Sequence, residues 1–139
     1  MTGFETGRAA HEVRRVFVAA DRRAYPAHVY VVVHEGLGAA KVGVSWKGRH
    51  DYRVREHIAY GWREHDRMEF HDRLLAEAVE SGVIRSLRAR GLPPCLTATQ
   101  MPQGGATETV ALAEMPAEQL WALVESTAAR TRIEYVVRQ

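Results

Sequence analysis

The sequence predicts a mixed α/β domain of the α+β kind, built around a small sheet. Three observations carry that prediction. Residues 28–34, HVYVVVH, form a β-branched run of strand length. A second run, AAKVGVSW at 39–46, follows it across the turn Glu35-Gly36-Leu37-Gly38, so the two read as a hairpin. Residues 72–90 repeat apolar side chains at helical spacing, and Gly91 with Pro93-Pro94 closes that helix.

The remaining elements follow in order. Ala9, Val13, Val16, Phe17 and Ala20 space a helix over 8–23, which Tyr25-Pro26 stops. Gly43, inside the second strand, signals close approach by another group. Residues 51–62 read as a helix burying Val54, Ile58 and Trp62, and 68–71 as a short third strand. Residues 95–105 read as loop and 106–113 as a strand. Pro116 suits the first turn of a helix to about 129, with Leu120, Trp121 and Val124 inward. Residues 132–137 alternate like a final strand.

Composition bounds the function. At 139 residues the chain is expected to be a single domain, 1–139. With 46% hydrophobic and 26% charged residues it is globular rather than disordered. No apolar run approaches the ~20 residues that span a membrane. The opening MTGFETGRAAHEVRR lacks the apolar core of a signal peptide, so a cytoplasmic protein is expected. Cys95 alone permits no internal disulfide and no Cys-rich zinc site. Net charge is +2, and of 19 basic residues only Lys41 and Lys47 are lysine. Arginine suits phosphate recognition, although GC-rich coding produces the same bias.

Several residues depart from a plain core pattern. Glu80 falls within the inward stripe of Ala76, Val83, Ile84 and Leu87. A carboxylate there is either a structural salt bridge or a metal ligand or acid/base group at a cleft. Glu77 on the flank has Arg73 four residues before it and reads as a solvated pair. Arg53 and His57 share one helix face, either as a solvated pair or as a phosphate clamp with a proton-transfer group. Tyr30 in its apolar strand needs a hydroxyl partner, and Lys41 is unusual in a core strand. Glu108 begins the face that Val110 and Leu112 continue. The seven histidines form no HExxH motif, which gives zinc chemistry little support.

Taken in order, Tyr30, Lys41-Val42-Gly43, Arg53 with His57, and Glu80 resemble the motifs of the GIY-YIG nuclease family. His28-Val29-Tyr30 corresponds to the first motif and Lys41-Val42-Gly43 to the second, with a spacing of eleven from Tyr30 to Lys41. RVREH at 53–57 resembles the helix bearing the family's arginine, and Glu80 its metal-binding glutamate. GGATETV at 104–110 resembles a late segment of many phage and bacterial members. His28 replaces the opening glycine, Lys41 replaces the second tyrosine, and no asparagine occurs anywhere in the chain.

The resemblance covers residues 28–113 as a core, with 1–27 as a helical extension and 114–139 as a C-terminal helix and strand. It implies a three-stranded antiparallel sheet flanked by helices, and a metal-dependent endonuclease. Glu80 would hold one Mg2+ or Mn2+ ion per site. Arg53 would neutralise phosphoryl charge, Tyr30 with Lys41 would prepare the attacking water, and His57 would assist proton transfer or contact the phosphate. Lys47, Arg49 and Arg55 would track the nucleic acid, DNA in preference to RNA, with loops, termini or a homodimer as the source of any specificity. The alternative is a non-catalytic nucleic-acid-binding or interaction domain that keeps the fold.

Overall fold

The computed structural model describes residues 26–46 and 52–138. The expected helix over 8–23 lies outside them, as do Lys47 and Arg49. The chain folds as α+β. Strands β1 (Ala27–His34) and β2 (Ala39–Trp46) form the expected hairpin. Helix α1 (Tyr52–Ala59) precedes β3 (Arg63–Phe70), and α2 (Arg73–Ala89) follows it. A 3-10 turn (Ala106–Glu108) leads into β4 (Thr109–Ala111), and α3 (Ala117–Arg138) completes the order. All strand pairings are antiparallel, in the order β3-β1-β2-β4. None of the described helices is long and apolar enough to cross a membrane.

The apolar run of β1 follows from its central place. Val29, Val31 and Val33 pack on one face against Val79, Val83 and Leu87 of α2 and Leu120 and Val124 of α3. Tyr30 and Val32 pack on the other face with Val54, Trp62, Leu96 and Met101. With both faces covered, the strand carries no polar alternation. Asp72 caps α2 by accepting from the amides of Leu74 and Leu75, which satisfies two donors of the first turn.

Five expectations are corrected. The third strand spans eight residues. Its REHDR half was illegible as strand because it lies on a sheet edge, where charged side chains stay solvated and guard the exposed backbone. The strand expected over 106–113 shrinks to three residues behind the 3-10 turn. This short β4 adds a fourth strand to the expected three. Residues 132–137 are helical, part of the 22-residue α3. No glycine or proline interrupts the chain from 117 onward, so the helix continues through the β-branched stretch, with Ile133 65% exposed. Ile58 points outward; Val54 and His57 are the buried residues of α1.

Candidate functional site

The β1–β2 register places Tyr30 opposite Gly43 and Val32 opposite Lys41, so Tyr30 and Lys41 emerge on one face of the sheet. Gly43 leaves the space that both side chains occupy. A Cβ there would overlap the Tyr30 hydroxyl and approach Lys41 Nζ to 2.8 Å. Lys41 Nζ lies 5.4 Å from the centre of the Tyr30 ring. β4 pairs only with Ala39, Ala40 and Lys41, so among the described residues the later half of β2 has no strand on that edge.

A cavity of about 550 Å³ opens at this place. Tyr30, Lys41, Val44 and Trp46 line it from the hairpin, Arg53 from α1, Glu77, Glu80 and Ser81 from α2, and Gly105 and Glu108 from the segment before β4. The Tyr30, Arg53 and Glu80 singled out from sequence thus share one hollow.

Lys41 is fully buried, and its ammonium donates to Glu108 Oε1 at 2.7 Å and to the Val42 carbonyl at 3.1 Å. A buried ammonium needs such a partner. The stem of Lys41 passes over Gly105, whose φ of +102° is left-handed and where any Cβ would strike it. Glu108 therefore sits on the 3-10 turn, turned toward Lys41, rather than on a strand face.

Arg53 bonds the carboxylate of Glu56 and donates to the Gln103 carbonyl at 3.0 Å. His57 is fully buried and does not line the cavity. Its Nε2 lies 3.1 Å from the Tyr30 hydroxyl and its Nδ1 3.0 Å from the side-chain nitrogen of Gln103. Both ring nitrogens are thus engaged by protein groups. Burial, with Lys41 and Arg53 nearby, pushes its pKa down to about 3, so the imidazole is neutral at ordinary pH. Burial pushes the Tyr30 phenol up, against the pull of Lys41 and Arg53.

Glu80 is half-buried on the flank of α2, beside the buried line of Ala76, Val79, Val83 and Leu87 rather than at its centre. Burial first, then the charges of Glu108 and Glu77, raise its pKa to about 7. It makes no hydrogen bond or ion pair with any described residue, whereas Glu77 binds Arg73 at 2.8 Å and Glu108 binds Lys41. Among the described residues no cluster of three or more His, Cys, Asp or Glu side chains suits a metal. Glu80 would serve as a single-carboxylate ligand. That fits Mg2+, which keeps most of its waters and takes one or two carboxylates with substrate phosphate oxygens.

Arg55 is exposed on α1 and does not reach the cavity. Gln103, Gly105 and Trp46 were not singled out from sequence as site residues. Trp46 lies beneath the Arg73 guanidinium at 3.6 Å. The Gly104-Gly105 pair was the available signal, since adjacent glycines mark backbone that another group approaches. No protein-family profile, curated protein or solved structure matches this chain.

Proposed function

We propose that the chain is a GIY-YIG-like, metal-dependent endonuclease that hydrolyses phosphodiester bonds, in DNA rather than RNA, and acts in the cytoplasm. The observation that carries this reading is the convergence on one cavity of a phenol, two cations and a carboxylate that has no partner among the described residues. The antiparallel sheet supports the reading with Tyr30 and Lys41 on its central hairpin, and α1 and α2 carry Arg53 and Glu80.

Glu80 would hold one Mg2+ or Mn2+ ion, whose bound charge also relieves the burial and repulsion that raise its pKa. When bound, the ion supplies Lewis-acid stabilisation of the phosphate and of the leaving oxygen. Arg53, held by the Gln103 carbonyl, presents its guanidinium to the phosphoryl oxygens, where negative charge grows. Tyr30 orients and deprotonates the attacking water. Burial raises the phenol's pKa; Lys41 and Arg53 pull against it toward the phenolate that this step needs, and the Glu108 contact keeps Lys41 in place. Arg55, with Lys47 and Arg49, adds charge contacts to the nucleic-acid backbone.

The test is cleavage of double-stranded DNA, single-stranded DNA and RNA with and without Mg2+. Metal-dependent cleavage of double-stranded DNA that Glu80→Ala abolishes is expected. Salt-sensitive binding that needs no metal and is weakened by Arg53→Ala, without cleavage, would instead identify a binding domain that keeps the fold.

A further inference from the structure

Gln103 holds two site residues at once. Its main-chain carbonyl accepts from Arg53 Nη1 at 3.0 Å, and its side-chain amide nitrogen lies 3.0 Å from His57 Nδ1. Its Oε1 is buried with no hydrogen-bond partner among the described residues. Among the described residues, the contact to His57 is therefore the one hydrogen bond that the side chain makes. On the far side of the ring, His57 Nε2 meets the Tyr30 hydroxyl at 3.1 Å.

An amide nitrogen only donates, and a neutral imidazole has one N–H and one lone pair. Donation from Gln103 makes Nδ1 the acceptor and leaves the ring proton on Nε2. Nε2–H then donates to the Tyr30 oxygen. We propose that Gln103 is a positioning residue that locks His57 in the Nε2–H tautomer, so that Tyr30 accepts from His57 and turns its own proton toward the cavity. This rests on the nuclease reading only where it gives Tyr30 a reacting role.

The tautomer decides what His57 does. With Nε2 protonated, His57 is not the base that receives the Tyr30 proton. The phenol gives that proton to water in the cavity, and the resulting phenolate keeps a hydrogen bond from His57, which favours the charged form. With the proton on Nδ1, Nε2 would instead accept from Tyr30 and hold the phenol protonated. The burial of the ring beside Lys41 and Arg53 keeps the doubly protonated form out of play.

The experiment is long-range proton–nitrogen correlation of the histidine rings in the full 15N-labelled chain, with His57 assigned by difference from His57→Gln. The native protein should show Nε2 protonated and Nδ1 bare between pH 5 and 8. Gln103→Glu, close in size, places an acceptor at Nδ1 and should move the proton there. In the cleavage assay the same variant should lower kcat roughly a hundredfold with KM held, the scale of a lost acid/base arrangement. If Gln103→Glu does not fold, Gln103→Met, which lacks the amide, should show both tautomers. A native ring protonated on Nδ1, or a variant that keeps the Nε2–H tautomer unchanged, overturns the proposal. The spectra need no substrate, so absence of cleavage in every protein refutes the nuclease reading without touching this one.

Discussion

Tyr30 and Gly43 face each other across the β1–β2 ladder, and the phenol hydroxyl fills the space that a side chain at 43 would take. Backbone register alone therefore sets where the hydroxyl meets His57 and where Lys41 passes beside it. Gly43→Ala tests this. The added methyl would overlap the hydroxyl and press on Lys41, so a loss of about 1–3 kcal/mol in urea unfolding is expected. Unchanged stability would mean that the two side chains lie elsewhere.

The Lys41–Glu108 contact predicts an asymmetry. Glu108→Ala leaves an ammonium buried without its carboxylate and should cost roughly 3 kcal/mol. Lys41→Met removes the charge and leaves Glu108, which is partly exposed, to solvent, so it should cost less. Unfolding midpoints of the two variants decide the order.

Glu80 predicts a pH dependence. Its folded pKa, about 7, lies above the ordinary carboxylate value, so the folded protein binds the extra proton. The associated stability is full below the unfolded carboxylate pKa and is lost as pH rises through about 7. Glu80→Gln, which stays neutral, should gain roughly 2 kcal/mol on the native protein between pH 5 and 8. A constant difference across that range would show that Glu80 is not desolvated.

Arg53 reaches the cavity and is held by the Gln103 carbonyl. Under the proposed function, Arg53→Ala should slow cleavage roughly a hundredfold or more, the scale of a lost charge-stabilising donor. The exposed Arg55 should affect binding and its salt dependence instead, which Arg55→Ala measured over a salt series would show.

Much of the fold was legible because its strongest signals are local. The valine run of β1 and the capped, periodic α2 each bury a continuous face, and their types follow from pattern. β3 was half hidden because an edge strand has no solvent-averse alternation to read. The C-terminal strand was misread because Ile133, Tyr135 and Val137 alternate locally, while the continuing helix is marked only by the lack of a stop. Tyr30, Arg53 and Glu80 stood out as polar groups in or beside apolar faces. Gln103 did not, since a loop glutamine has no pattern to violate, and its contacts to His57 and Arg53 span 46 and 50 residues of sequence.

The most direct measurement is single-turnover cleavage of supercoiled plasmid by the full chain in Mg2+, beside Tyr30→Phe and Glu80→Gln. The account predicts cleavage by the native protein, none when the metal is chelated, and near-complete loss in both variants with folding preserved. Native-like cleavage by Glu80→Gln, or no cleavage by the native protein on DNA or RNA, would contradict it.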